Sequence, residues 1–224
     1  QFFLGDVRDE ERLRYATRNI NIVIHSAALK IVPTLEYNPF ESVKTNILGA
    51  NNVIKTSIDN NVNKVVLIST DKAVNPTNLY GACKMTAEKL FVAANNMTGE
   101  KKTRFSCVRY GNVSGSRGSL IEKFKNSKKK LHITDYNMTR FWITTSQAVN
   151  LVNNCLGNMI GGEIFVPKLP SIKIKDLFDI RYGKNNYASS KPRPGEKIHE
   201  ILISNDEMRN TFETKDFFVI CPNL

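Results

Sequence analysis

The densest chemistry in the chain lies in two short blocks, Ser69-Thr70-Asp71-Lys72 and Tyr80-Gly81-Ala82-Cys83-Lys84. Tyr80 and Lys84 are four residues apart, so on a helix they share one face and can serve one substrate. An ammonium beside a phenol favours the phenolate, which can take a proton from an alcohol or sugar hydroxyl, so the spacing predicts that Lys84 lowers the pKa of Tyr80. A tyrosine and a lysine at this spacing are common on protein surfaces, and the pair gains meaning only from its setting. It follows Lys64-Val-Val-Leu-Ile-Ser69, an apolar run with the pattern of a strand buried on both faces. The C-terminal ends of such strands are where open α/β sheets place ligands.

The elements that must hold these blocks are legible on either side. Asn21 to Ala28 is a second buried-strand run, ending in small residues. From Asn38 to Asn61, Val43, Ile47, Ala50, Ile54 and Ile58 recur at helical spacing. Pro76 marks a loop, and a helix carrying Ala82, Met85, Leu90 and Val92 begins near Asn78; Thr103 to Tyr110 then reads as a third strand. This alternation predicts parallel strands joined by crossover helices. Beyond Gly111 the rhythm loosens, with a glycine-bearing loop through Gly115 and Gly118, a helix at 119–127, a strand at 131–134, a helix at 145–157 and a strand at 163–166. A partial sheet domain over 1–116 and, over 117–224, mainly a smaller lobe with segments returning to the sheet are therefore expected.

Composition narrows the function classes. The chain has 224 residues, 41% of them hydrophobic and 24% charged, as in a soluble globular protein, and no apolar run approaches the ~20 residues of a membrane span. The N-terminus has no basic stretch leading into an apolar one, the mark of a secretory signal. The net charge of +11 is spread through both halves, and only Lys123, Lys125 and Lys128 to Lys130 form a dense run. Without interleaved aromatics or a binding motif, it argues against a nucleic-acid partner. Cys83, Cys107, Cys155 and Cys221 lie far apart, with no Cys-x-x-Cys pair and no histidine at ligand spacing, so free thiols in a reducing, cytoplasmic setting and no metal are expected.

Ser-Thr-Asp-Lys followed by Tyr-x-x-x-Lys resembles extended short-chain dehydrogenase/reductases, and among them the inverting UDP-N-acetylglucosamine 4,6-dehydratases of polysaccharide biosynthesis. The similarity continues, in order, through Gly5-Asp-Val-Arg-Asp9, His25-Ser-Ala-Ala-Leu-Lys30, Lys44-Thr-Asn-Ile47, Arg109-Tyr-Gly-Asn-Val113, Gly115-Ser-Arg-Gly118, Met138-Thr-Arg-Phe-Trp-Ile-Thr144, Gly161-Gly-Glu-Ile-Phe-Val-Pro167 and Arg193-Pro-Gly-Glu-Lys197. It implies a doubly wound, Rossmann-like parallel sheet with a smaller C-terminal substrate lobe. It also implies a nicotinamide cofactor, NADP with NAD as the alternative, a UDP-sugar substrate, no membrane association, and a homo-oligomer of the full-length form.

Roles follow from the resemblance residue by residue. Tyr80 would take the proton of the 4-hydroxyl as hydride leaves C4, with Lys84 steadying the phenolate and holding the nicotinamide ribose. The C4 ketone makes the C5 proton acidic, Lys72 would remove it, and Asp71 would protonate the departing 6-hydroxyl before hydride returns to C6. Thr70 would hydrogen-bond the reacting hydroxyl. As a base, Lys72 requires a depressed pKa, which burial beside Lys84 is expected to supply. Cofactor contacts would be Asp6, Val7, Ala27, Ala28, Ser69, Tyr80, Lys84 and Val113. Substrate contacts would be Lys30, Asn112, Arg117, Thr134, Arg140, Arg193 and Glu196, cations among them suiting a diphosphate.

The chain departs from the family pattern in lacking the glycine-rich turn that seats a pyrophosphate, since Gly5 is its only glycine before Gly49. The resemblance thus implies a sheet without its first strands, with little activity expected of the 224 residues alone. Ile31 stands where relatives carry histidine, 183–191 is polar where a strand is expected, and the lysine-rich 121–130 segment is short. A related epimerase, or a catalytically incompetent fragment or split-gene product, are the competing expectations. The Asp71-Lys72 pair argues for elimination, because a 4-epimerase needs only the tyrosine and lysine.

Overall fold

The computed structural model describes residues 1–222. In chain order the elements are α1 (Glu10–Ala16), β1 (Ile22–His25), α2 (Val32–Tyr37), α3 (Pro39–Ser42), a π-helical turn (Val43–Leu48), α4 (Gly49–Asp59), β2 (Lys64–Thr70), α5 (Leu79–Ala94), β3 (Arg104–Tyr110), β4 (Asn112–Val113), α6 (Leu120–Asn126), β5 (Thr139–Ile143), α7 (Thr145–Asn158), β6 (Ile164–Pro167), β7 (Ser171–Lys173), α8 (Ile174–Tyr182), β8 (Thr211–Glu213) and β9 (Phe217–Ile220).

The main sheet has the order β1-β2-β3-β6-β9-β8; β1, β2, β3 and β6 run parallel, and β9 and β8 are antiparallel additions. Alternation along the central strands sends side chains to opposite faces. Val65, Leu67, Phe105 and Cys107 pack with Ala50, Val53 and Ile54 of α4 and Ala87 and Phe91 of α5. Val66, Val108 and Phe165 pack with Leu151, Val152 and Cys155 of α7 and with Met159. Helices thus cover both faces of the central strands, as expected of a doubly wound sheet, but β1 is an edge strand whose Ile22 and Ile24 remain about half exposed, so the run expected to be buried on both faces is covered on one only. Each of the fully buried valines, leucines and phenylalanines contributes roughly 1.5–3 kcal/mol by leaving water.

Local signals explain the ends of the helices that matter most. Asn78 caps α5 by accepting from the Gly81 amide at 2.9 Å. Thr144 and Gln147 form a reciprocal capping box on α7. The helix expected over 38–61 is present as α3, the π-turn and α4 in one run. The π-turn places Asn46 so that its amide clasps the Leu29 backbone, accepting from N and donating to O, both at 2.8 Å. That bond pair holds the segment beyond β1 in place.

A smaller sheet, β4-β5-β7, joins α6 and α8 around Phe124, Ile133, Met138, Trp142, Ile174, Phe178 and Tyr187. The strand expected at 131–134 does not form. Ile133 makes a single bridge to Ser189, its amide donating to the Ala188 carbonyl and its own carbonyl accepting from the Ser190 amide. The Leu131 amide donates instead to the Tyr182 hydroxyl, so the backbone of 131–134 pairs with the polar stretch only at Ile133. The second half of the chain divides between the two bodies, since α7, β6, β8 and β9 complete the main sheet.

Candidate active site

Ser69 and Thr70 end β2, and Asp71 to Ala73 form a single 3-10 turn capped by the Thr70 side chain. Asp71 is fully buried. Its Oδ1 accepts from Thr70 Oγ1 and from Lys72 Nζ, both at 3.0 Å. The turn then runs into α5, whose first residues bring Tyr80 back over it. Gly81 makes the approach feasible, because a Cβ there would lie 2.2 Å from the Lys72 carbonyl oxygen. A backbone atom cannot move aside as a flexible side chain can.

The tyrosine's surroundings differ from the expectation. Burial pushes the Tyr80 phenol well above its ordinary value, the Asp71 carboxylate and Tyr110 push the same way, and a hydrogen bond with Thr70 offsets only part. Lys84 does not act on it. Its ammonium is drawn under β2, where Nζ donates to the Ile68 carbonyl at 2.6 Å, and burial lowers its own pKa to about 8 against the opposing charge of Glu88. The helical spacing correctly puts Tyr80 and Lys84 on neighbouring turns, but it cannot say which group each will meet.

Lys72 also departs from its expected setting. Rather than lying against Lys84, it stands between two carboxylates, Asp71 at 3.0 Å and Glu200 at 3.5 Å, with its side chain 25% exposed. Glu200 is 4% exposed and lies 3.4 Å from Lys197, whose Nζ donates to the Val74 carbonyl at 2.6 Å. Neither Glu200 nor Lys197 stands out in the sequence as a site residue. Only the last residue of the Arg193-Pro-Gly-Glu-Lys197 motif hints at that region.

Other expected site residues fall on the same C-terminal edge of the sheet. Ala27 and Ala28 follow β1, Ser69 ends β2, and Asn112 and Val113 form β4 just beyond β3. Ser69 Oγ is buried and has no partner among the described residues. Val7 is pinned from above, since Asn52 donates to its carbonyl at 3.1 Å. The Asp6 carboxylate is engaged by the side chain and amide of Arg8, which hold its pKa at about 2. Lys30 and Arg117 are exposed, and Thr134 makes only a long contact from Oγ1 to Met138 Sδ at 3.7 Å. Arg193 is exposed and sits 3.7 Å from Glu196.

Arg140 is buried and already occupied. Its guanidinium donates to the carbonyls of Thr139, Ile198 and Lys197 at 2.7, 3.0 and 2.9 Å, so in this structure it holds the 193–200 strap rather than standing free for a diphosphate. The strap is fastened to the Lys72–Asn78 loop as well. Gly195, at φ +70°, offers its carbonyl to Thr77 Oγ1 and Asn78 Nδ2, each at 2.9 Å. Further along, Arg109 of β3 is 2% exposed and clamped bidentately by Glu88 of α5 and by Glu207, and it also donates to the Leu202 carbonyl. Among the described residues no cluster of three or more metal-ligating side chains occurs, and no helix is long and apolar enough to cross a membrane.

This arrangement can do acid–base chemistry at one point. An enclosed tyrosine, a carboxyl and an amine meet at the end of a parallel strand, beside small residues and an unpartnered serine hydroxyl. The chain is similar along its whole length to an inverting UDP-N-acetylglucosamine 4,6-dehydratase of Campylobacter jejuni, at 50% identity over all of this chain and 68% of that protein. A UDP-glucose 4-epimerase of Rickettsia rickettsii is 41% identical over 98% of this chain and 67% of its own. The solved structure of Pen from Bacillus thuringiensis superposes with a TM-score of 0.95 at 42% identity, covering 100% of this chain and 72% of that one. A dTDP-glucose 4,6-dehydratase from Streptomyces venezuelae, DesIV, shares the fold at a TM-score of 0.80 and 20% identity, over 92% of this chain and 71% of its own. The profile of the polysaccharide biosynthesis protein family spans residues 1–222, and with these likenesses it shows that the chain belongs to that family.

Proposed function

We propose that the protein is a sugar-nucleotide 4,6-dehydratase that converts UDP-N-acetylglucosamine to a UDP-6-deoxy-4-keto sugar with inversion at C5. The observation that carries this reading is the Thr70–Asp71–Lys72 turn beneath Tyr80, where an elimination finds an acid and an amine 3.0 Å apart. The 50% identity to an inverting dehydratase supports it.

The chain's residues fit a nicotinamide dinucleotide. Ser69 Oγ is a buried hydroxyl without a protein partner, and Ala27 and Ala28 leave room for a close approach beyond β1. Ser69, Ala27, Ala28, Val113, Lys84 and the Asp6–Val7 segment would hold it, with NADP the form proposed and NAD the alternative. When bound, a nicotinamide would supply, in its oxidised form, a hydride acceptor for C4 and a positive charge that favours the Tyr80 phenolate and, in the reduced form so produced, the hydride for C6.

Tyr80 then takes the 4-hydroxyl proton while Thr70 holds that hydroxyl in place. Once C4 is a ketone, the C5–H bond breaks toward Lys72, the electron pair forms the C5–C6 double bond, and the C6–O bond breaks as Asp71 supplies a proton to the leaving hydroxide equivalent; hydride addition at C6 and delivery of a solvent proton to C5 on the face opposite Lys72 then give the inverted 6-deoxy-4-keto sugar. The starting protonation state, amine and carboxylic acid, is one proton shift along the Lys72–Asp71 hydrogen bond from the ion pair seen here. Lys30, Asn112, Arg117, Thr134, Arg193 and Glu196 would line the sugar-nucleotide side, and Arg140 would act through the strap it fastens.

A second reading, UDP-sugar 4-epimerisation, is favoured by the Rickettsia relatives at 41% identity. Incubating the protein with UDP-N-acetylglucosamine and NADP or NAD decides between them. A product lighter by one water, carrying solvent deuterium at C5, supports the dehydratase; an isomer of unchanged mass supports the epimerase and overturns the first reading.

A further inference from the structure

We infer that Glu200 is a positioning residue for Lys72, and that the 193–200 strap is the device that delivers it. The inference rests on the dehydratase reading for its kinetic consequences but not for its geometry. Glu200 comes from a segment with no regular secondary structure, yet its side chain is almost fully buried and reaches Lys72 Nζ at 3.5 Å. A buried carboxylate is costly unless paired, so its place beside Lys72 and Lys197 is a defined arrangement and not a solvated surface pair.

Three sets of contacts fix where Glu200 stands. Lys197 and Gly195 tie the strap to Val74, Thr77 and Asn78, the loop that follows Lys72. Arg140 and the Thr139 amide hold the carbonyls of Lys197 and Ile198, and Thr139 Oγ1 meets His199 Nδ1 at 2.8 Å. Beyond Glu200, the Leu202 carbonyl and Glu207 are gripped by Arg109. The strap therefore presents Glu200 from a rigid frame anchored in both sheets.

The consequence for Lys72 is directional. Asp71 shares the same oxygen, Oδ1, between Thr70 and Lys72, and Asp71 changes its proton content during an elimination. A lysine tethered to Asp71 alone would lose its partner at that moment and swing, its four-carbon stem having many rotamers. Glu200 provides a second hold that does not take part in the proton exchange, and the Glu200–Lys197 pair keeps the cluster balanced in charge. Lys72 is thereby kept in one place throughout the reaction cycle. Oxidation at C4, which depends on Tyr80, does not need this hold. Proton removal at C5 does.

Two measurements on the full protein test this. In Glu200→Gln, a near-isosteric change, reduction of the bound nicotinamide by UDP-N-acetylglucosamine is expected to stay within about twofold of wild type, while solvent-deuterium incorporation at C5 and water loss fall by roughly 10- to 100-fold, the scale of a small misplacement of a reacting group. Equal loss of both steps would mean that Glu200 merely supports the fold, and no loss of either would overturn the proposal. Independently of any substrate, the rate at which an amine-acylating reagent labels Lys72, read by peptide mass spectrometry, should rise several-fold in Glu200→Gln with the other lysines unchanged. An unchanged Lys72 rate would overturn the inference by itself. If wild type shows neither C5 exchange nor water loss, the dehydratase reading falls, and the labelling experiment still decides whether Glu200 holds Lys72.

Discussion

Residues 69–84 and residues 193–207 meet at the same point, yet they are built on opposite plans. The first is a strand, one tight turn and a helix whose capping contacts lie within a few residues: Thr70 caps the turn, Asp71 Oδ1 takes Thr70 and Lys72, and Asn78 caps α5, while Ser69 Oγ and Asp71 Oδ2 are buried without a partner among the described residues. The second is knotted locally where Arg193 meets Glu196 and Ser204 meets Glu207, and is held in place by distant partners, namely Asn78, Val74, Arg140, Thr139 and Arg109. The groups proposed to carry the chemistry lie in the locally determined segment, and part of their environment comes from the segment that tertiary contacts hold in place.

The contrast can be broken at several points, in order of expected effect. Replacing Tyr80 with Phe removes the proposed proton acceptor from the local segment while leaving its packing; product formation should fall by about 10²- to 10⁴-fold, with the unfolding midpoint little changed. Product formation near wild type would show that the chemistry does not reside in this segment.

Arg109→Met strikes the far anchor of the strap. It strands Glu88 and Glu207, and breaking a buried pair from one side costs roughly 3–5 kcal/mol, to be read from urea unfolding. A cost below about 1 kcal/mol, the scale of an exposed ion pair, would mean that the clamp is not what holds 202–207 to the sheet.

His25, at the end of β1, sharpens the comparison through pH. It is buried and stacked on Phe91 at 6.0 Å, and burial, with a smaller push from Lys84, lowers its pKa to about 4. Because the folded value lies below the ordinary value of 6.5, the unfolded chain binds the proton first as pH falls. The stabilisation of neutral His25 is therefore whole above pH 6.5 and is lost between 6.5 and 4, by about 3 kcal/mol if one pKa unit is worth about 1.4. His25→Asn should flatten the unfolding free energy over that window, and a slope unchanged by the substitution would place the acid sensitivity elsewhere.

Asn78 straddles the two segments, capping α5 through its oxygen and holding Gly195 through its nitrogen. Asn78→Asp keeps the cap and loses the strap bond, whereas Asn78→Ala loses both. Thermal unfolding should separate the two variants by about 1 kcal/mol, the ordinary value of a cap. Identical midpoints would imply that the strap bond, not the cap, dominates at this residue.

Much of the frame is legible in the residues alone. Runs such as Lys64 to Ser69 carry no polar interruption, so a strand covered on both faces is their natural use, and Val43 to Ile58 repeat at helical spacing and do form one helical run. The run at 131–134 does not become a strand because four residues of mixed character pair in whatever way their neighbours allow, and here the neighbour is irregular. Strands β5, β7, β8 and β9 are not legible in advance, because short strands at the margin of a sheet owe their existence to a partner rather than to their own pattern.

By itself, the sequence determined that Ser69 and Thr70 would end a buried strand and that Tyr80 and Lys84 would lie on neighbouring turns of the helix that follows, because strand termini and four-residue helical spacing are local geometry. Only the tertiary structure decided what each group faces. Tyr80 is enclosed and set against Asp71 rather than tuned by Lys84, Lys84 is drawn to the Ile68 carbonyl, and Lys72 is held by a glutamate from a distant strap. The physical reason is range: backbone periodicity acts over a few residues, whereas burial and charge depend on whatever packs within a few ångströms, however far away it lies along the chain.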